Sequence, residues 1–432
     1  MDFVAEISLV EGPVLWGAWT AGAAGGVYLL WGRGLRWVLR AVVVVLAAAV
    51  IVAAVHWLLI YVFSTFPEVL PWEVLAWSVP AVAALLLWLV RLRGSTWGGR
   101  AAAAAAMLGV LLLSAVQVNA YFGLNRTVSD LLGTAVARIQ PLEAGLVRQP
   151  GGPAPTSLDA WSSPGDLPAG GLLRKAVIPG SRSGLSTREA FIYLPPAYQS
   201  APRPALPVLV LFSGQPGGPA DWLTGGALRS RMDRFAAGRN GLAPVVVVVD
   251  PNGSASGNTL CMDSGIAQAD TFLSEDVPGW ISQTLDVDTD KRQWAVGGFS
   301  FGATCALQMG TRHPDLYPSV LAFASEQEPA LAKERQKTID ASFGGDTAAF
   351  EAQTPLGVMK QGNFAGKAAY FAAGARDPEF LGYMEVLSTA ARESGFTVET
   401  RQIANTGHSW EMASTALPGA LDFLAARWGI RP

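Results

Sequence analysis

Charged side chains are missing from four stretches early in the chain, residues 12–32, 41–63, 74–90 and 101–124. At 21, 23, 17 and 24 residues, each approaches the ~20 that a helix needs to cross a bilayer. Buried helices of a large soluble core rarely run that far without a charge, so the pattern predicts a four-helix transmembrane domain over residues 1–124. A cleaved leader is the alternative for the first stretch. Asp2, Glu6 and Glu11 stand where a signal peptide carries basic residues, which argues against it. Arg33, Arg36 and Arg40 lie at the junction of the first two stretches, and Arg91, Arg93 and Arg100 at that of the last two. The middle loop has Glu68 and Glu73 and neither Lys nor Arg, so positive-inside reasoning puts both arginine loops in the cytoplasm and both chain ends outside. His56 falls within the second stretch, and Gln117 and Asn119 near the outer end of the fourth. With no charged partner at membrane depth, His56 is expected to serve a helix–helix hydrogen bond rather than an ion pathway.

Beyond residue 124 the pattern changes. Val128, Leu131, Leu132, Ala135, Val136 and Ile139 are spaced for an amphipathic helix over 125–140. Residues 141–171 are rich in Pro, Gly, Ser and Ala (PGGPAPTS, SSPGDLPAGG) and read as a linker, making 125–171 a connecting segment. Over 172–432, short apolar runs alternate with helical patterns. The expected strands are 172–178, 190–194, 207–212, 245–249, 293–296, 320–324, 368–373 and 398–403. The expected helices are 226–237, 274–285, 300–312, 380–394 and 413–428. Runs such as VLVLF and VVVVV lack period-2 alternation, as central strands do when helices cover both faces of a mostly parallel sheet. The fold class is therefore α/β, with chemistry expected just beyond the carboxyl ends of the strands.

Composition sharpens this division. Half of the 432 residues are hydrophobic, mean hydropathy is +0.30, and 15% are charged, against about 25% in an average soluble domain. Only 11 of the 65 charged residues lie in 1–124, so the excess belongs to the anchor and 172–432 is an ordinary extracytoplasmic domain. A net charge of −3 argues against a nucleic-acid partner, whose phosphates require a basic surface. Two cysteines and two histidines in the outer domain match no zinc spacing, and neither a metal nor a cofactor is expected.

The strand ends supply a catalytic set. Gly298-Phe299-Ser300-Phe301-Gly302 is a G-x-S-x-G at a strand-to-helix junction, where a serine nucleophile sits on a tight turn. Serine needs a base. His313 lies at the far end of the helix that Ser300 begins, roughly 18 Å away at 1.5 Å per residue. His408, in the loop after the last strand, is the base candidate left. Asp377, at the end of the strand between them, is the acid that would orient the imidazole, and Glu379 is its fallback. The order Ser, Asp, His is that of the α/β-hydrolase fold. For the oxyanion, the backbone N–H of Phe301 is the first donor and that of Gln215, in the loop after 207–212, the second.

FSGQPGGPADW, GGFSFG, GARDPE and TGHSW together resemble the motifs of the esterase D-like α/β hydrolases. That group contains S-formylglutathione hydrolases, feruloyl esterases and secreted mycolyltransferases. The resemblance covers roughly 172–428. It implies Ser300 as nucleophile, Asp377 as acid, His408 as base, and Gln215 and Phe301 as oxyanion donors. Ser213 departs from the pattern, standing where many members have His before the glycine. The multi-span anchor is similar to those of membrane-tethered actinobacterial esterases.

Cys261 and Cys305 are a candidate disulfide in an exported domain, with two buried thiols as the alternative. In the loop 250–276, Asp270 could meet a polar or cationic substrate group. Glu326, after the strand that follows the nucleophile helix, could do the same; solvated charge and loop capping are the competing roles. The expected function is a membrane-anchored serine esterase acting on carboxylic esters of envelope lipids or glycans through an acyl-enzyme. An acyltransferase using the same triad and a catalytically silent binding module are the alternatives, and oligomeric state is left open.

Overall fold

A computed structural model describes residues 5–93, 95–149 and 151–431; Asp2 and Pro150 lie outside them. The chain divides into two compact units, Met1–Ala135 with Leu331–Arg335, and Val136–Ala330 with Gln336–Pro432.

The first unit contains helices α1 (Pro13–Leu30), α2 (Leu35–Trp57, extended by a π turn over Leu58–Val62), α3 (Trp72–Leu92) and α4 (Trp97–Phe122). Among the described residues three segments are long and apolar enough to cross a membrane, Leu35–Val62, Trp72–Leu92 and Trp97–Phe122. This corrects the expectation of four. The first stretch is helical and uncharged, but Gly and Trp take positions that Leu or Val would need for comparable hydropathy. Its glycines serve packing instead. A Cβ on Gly25 would stand 2.3 Å from Ala106 O, one on Gly22 2.5 Å from Leu113 Cδ2, and one on Gly109 2.7 Å from Ala21 O. Small residues thus let α1 run antiparallel along α4 at close range. Arg91, at the end of α3, donates to the carbonyls of Tyr28, Leu29 and Trp31 and stacks on Trp37, closing the C-terminus of α1. Asn119 bonds both the backbone and side chain of Asn125, folding the chain back as it leaves α4. His56 does not make the expected bond at Nδ1, which is buried without a hydrogen-bond partner among the described residues.

The amphipathic helix expected over 125–140 is broken into Val128–Leu131 and Thr134–Ala137. Gly133 adopts φ 66° between them, a left-handed conformation that ends an α-helix. Residues 141–171 are not a free linker either. Arg148 N–H donates to Thr284 O, Tyr198 Oη–H to Leu146 O, Thr156 N–H to Arg203 O, and Trp161 Nε1–H to Ser200 Oγ. The segment has little apolar surface of its own, so it is ordered by partners elsewhere in the second unit, to which it belongs.

That unit is built on a nine-stranded sheet: β1 (Gln140–Pro141), β2 (Leu172–Ala176), β3 (Ala190–Leu194), β4 (Val208–Phe212), β5 (Val245–Val249), β6 (Trp294–Phe299), β7 (Ser319–Phe323), β8 (Ala368–Gly374) and β9 (Thr397–Ile403). The order is β1-β2-β3-β5-β4-β6-β7-β8-β9, antiparallel at β2–β3 and β3–β5 and parallel elsewhere. β3 to β8 are buried along their whole length, which accounts for their unalternating apolar runs. The principal helices are α5 (Leu228–Ala237), α6 (Val277–Thr284), α7 (Phe301–Arg312), α8 (Pro378–Glu393) and α9 (Trp410–Trp428). From β4 the chain moves to β5 on one side and then to β6 on the other, so the strand order reverses at β4. Register pairs Phe212 with Gly298, bringing the exits of β4 and β6 side by side at this switch point.

Candidate active site

β6 ends at Phe299 and α7 begins at Phe301, leaving Ser300 alone on the turn with φ 57° and ψ −126°. That backbone is costly for a residue with a side chain and is fixed by its surroundings. Ser300 N–H donates to Phe323 O at 2.9 Å, tying the turn to β7. A Cβ on Gly298 would fall 2.2 Å from Gly302 C, and one on Gly302 2.3 Å from Phe212 O. Both glycines of the motif are therefore demanded by close approach of strand, helix and neighbouring strand.

His408 arrives from the loop after β9, with Nε2 2.9 Å from Ser300 Oγ. Gly374, at the end of β8, makes room for that loop: a Cβ there would lie 2.5 Å from Thr406 O. Asp377 caps α8, accepting from Phe380 N–H through Oδ1 at 3.3 Å. Its Oδ2 faces His408 Nδ1 at 3.3 Å. The rings of Phe380 and Phe299 pack on the imidazole with centroids 4.0 and 5.0 Å away. Ser300 and Asp377 are buried. Nε2 is placed to accept the serine proton, with the Asp377 carboxylate on the Nδ1 side of the ring.

The loop after β4 lies against the serine; a Cβ on Gly214 would stand 3.4 Å from Ser300 Cβ. Gln215 turns its side chain away, Nε2 donating to Ser256 O at 3.3 Å. Phe301 N–H is the first amide of α7, a position that the helix itself supplies with no acceptor. Ser213 Oγ is buried with no hydrogen-bond partner among the described residues. Three residues that the sequence did not single out hold this loop. Asp221 accepts from Gly218 N–H at 2.8 Å. Arg188 donates to Gly217 O at 2.9 Å and to both carboxylate oxygens of Asp250. Burial pushes the Asp221 carboxyl up to about 6 despite the Gly218 amide and the nearby Arg188. Burial acts in the same direction on Asp250, but the Arg188 hydrogen bonds outweigh it and hold that carboxyl below its ordinary range. Asp221 was legible as a G-x-x-D turn cap; Arg188, 62 residues from Asp250, had no local signal.

Asp270 does not join the serine. It pairs with Arg312 Nη2 at 2.8 Å and His313 Nε2 at 3.0 Å, at the far end of α7. Its long loop crosses back to the helix C-terminus, where Arg312 and His313 hold its carboxylate. Glu326 is buried one row behind the serine, where Oε2 accepts from Thr304 Oγ1 at 3.3 Å. Cys261 and Cys305 form a disulfide that fastens the 250–276 loop to α7, helped by Gln308 Nε2–H donating to Leu260 O.

Residues 183–420 match the family model described as "Putative esterase". The chain belongs to this esterase family. Its fold is that of an α/β hydrolase. Two solved structures resemble the esterase domain. A ferulic acid esterase has 20% sequence identity and a TM-score of 0.50, covering 60% of this chain and 98% of its own. An S-formylglutathione hydrolase from Agrobacterium tumefaciens has 18% identity and a TM-score of 0.50, covering 61% and 98%. An uncharacterized protein of Corynebacterium glutamicum is 39% identical over 257 residues, 58% of this chain and 60% of that protein's length.

Proposed function

We propose that this esterase is membrane-anchored and hydrolyses carboxylic esters of cell-envelope lipids or glycans, with Ser300, His408 and Asp377 as its triad. The convergence of three strand ends carries the reading: His408 Nε2 is 2.9 Å from Ser300 Oγ, with Asp377 Oδ2 3.3 Å behind Nδ1. His408 takes the Ser300 proton as Oγ attacks the ester carbonyl. Asp377 stabilises the imidazolium, and the N–H groups of Phe301 and Gln215 receive the oxyanion. Collapse breaks the bond to the alkoxide, which leaves as the alcohol with the proton from His408. A water molecule then gives its proton to His408 and attacks the acyl-enzyme, freeing the acid and restoring Ser300.

The anchor is assigned from the three long apolar helices and from the packing of α1 along α4. Arg91 meets the C-terminal carbonyls of α1, so the two arginine-bearing connections lie on one side of the helical unit. Positive-inside reasoning makes that side cytoplasmic and the catalytic domain extracytoplasmic, where envelope esters are found. Ser300→Ala is expected to abolish hydrolysis of p-nitrophenyl esters and labelling by a fluorophosphonate. Labelling that persists in this variant refutes the assignment.

A further inference from the structure

We infer that Arg188 is a positioning residue for the oxyanion hole: its guanidinium, clamped by Asp250, fixes the loop that presents the Gln215 N–H. This rests on the catalytic reading above and extends it to a residue that touches no reacting atom.

Sheet topology creates the clamp. β3 and β5 are antiparallel, with Phe191 opposite Val248, so the chain entering β3 meets the chain leaving β5. Arg188 precedes β3 and Asp250 follows β5. Arg188 N–H and Nε–H both donate to Asp250 Oδ2, at 3.0 and 2.8 Å, and Nη2–H donates to Oδ1 at 2.9 Å. The Asp250 side chain is 1% exposed. A two-pronged pair of this kind fixes the plane of the guanidinium, which a lysine ammonium could not reproduce. Held in that plane, Nη2 also donates to Gly217 O at 2.9 Å and to Ser254 O at 3.0 Å. One group thereby joins the loop after β4 to the loop after β5.

Gly217 is two residues beyond Gln215 and folds back on Gly214, whose carbonyl oxygen would lie 2.8 Å from a Cβ on Gly217; Gly214 in turn lies against Ser300. Around the clamp, Gly217 N–H donates to Ala255 O at 2.9 Å, and a Cβ on Gly218 would lie 2.5 Å from Arg188 Nη1. A side chain at 218 would have to displace the clamped guanidinium. An oxyanion donor works only if it is aimed where charge develops, and a displacement of about 1 Å far from the chemistry can cost on the order of 10²-fold. The loop has no regular secondary structure between β4 and the turn at Pro219, so Arg188, Asp221 and Ala255 O supply its stiffness.

The test compares a p-nitrophenyl ester with its thionoester, in which the carbonyl oxygen is sulfur, on the full-length enzyme in detergent. Sulfur is larger and a weaker acceptor, so an aligned oxyanion hole favours the oxygen ester strongly and a misaligned one does not. Arg188→Lys is expected to lower kcat on the oxygen ester by about 10²-fold. KM should stay within about 2-fold and thionoester turnover should change little, so the oxygen-to-sulfur ratio collapses. Asp250→Asn keeps the guanidinium but loosens its plane. It is expected to lower the ratio less, and it decides the matter if Arg188→Lys does not fold. Equal loss on both esters, or an unchanged ratio in the folded variant, overturns the role of Arg188. An active Ser300→Ala would overturn the catalytic reading itself, so the two failures are distinct.

Discussion

Gly302 approaches Phe212 so closely that a Cβ on the glycine would stand 2.3 Å from the Phe212 carbonyl oxygen. The first turn of α7 is thereby pressed against the exit of β4, which brings Ser300 and its helix amides next to the loop carrying Gln215. Gly302→Ala must push the helix away from the strand. The expected result is a loss of about 1–3 kcal/mol in stability, as for other overpacked sites, together with a fall in kcat. Thermal melting and ester turnover check both, and a variant with wild-type values refutes this account of the second glycine.

Asp221 makes stability depend on pH. Burial raises its folded-state carboxyl from an ordinary 3.8 to about 6. Between those values the folded protein keeps a proton that the unfolded chain has released. The contribution of Asp221 is therefore most favourable below about pH 4 and declines as pH rises to 6, by up to about 3 kcal/mol. Asp221→Asn retains an acceptor for Gly218 N–H without the buried charge. Its melting temperature is expected to exceed that of the wild type above pH 6, with the gap closing by pH 4. A gap independent of pH would contradict this.

The Cys261–Cys305 bridge closes a segment with a sequence separation of 44. Chain-entropy reasoning assigns such a loop about 4 kcal/mol. Cys261→Ser with Cys305→Ser is expected to melt well below the wild type and to lose protease resistance first in residues 250–276. Reductant should lower the wild-type melting temperature and leave the double variant unaffected; equal melting of the two proteins would argue against a stabilising bridge.

The orientation is open to a direct assay. Alkaline phosphatase folds only outside the cytoplasm, so fusion after residue 171 is expected to be active and fusion between α3 and α4 inactive. The reverse pattern removes the extracytoplasmic assignment.

Local features were legible without coordinates. Charge-free stretches marked the apolar helices, unbroken Val and Leu runs marked the central strands, and a glycine-flanked serine at a strand-helix boundary marked Ser300. His408 followed because His313 stands at the other end of the same helix. Each of these rests on periodicity or on neighbours within a few residues. The first helix shows where that stops: freedom from charge suggested a span, whereas its glycines answer to the surface of α4, which the chain reaches some 80 residues later.

By itself, then, the sequence separated an apolar helical part from an α/β domain and nominated Ser300, His408 and Asp377, which the fold brings together. Only the tertiary structure decided which charges meet. Asp270, expected near substrate, is taken by Arg312 and His313, while Arg188 and Asp250 come together because β3 and β5 run antiparallel. Residues 141–171, too poor in apolar side chains to order themselves, are held by acceptors and donors from the hydrolase domain. The physical reason is common to all three. Periodicity and turn chemistry act over a few residues, whereas the pairing of a buried charge or an orphaned backbone group depends on strand order, which no local pattern encodes.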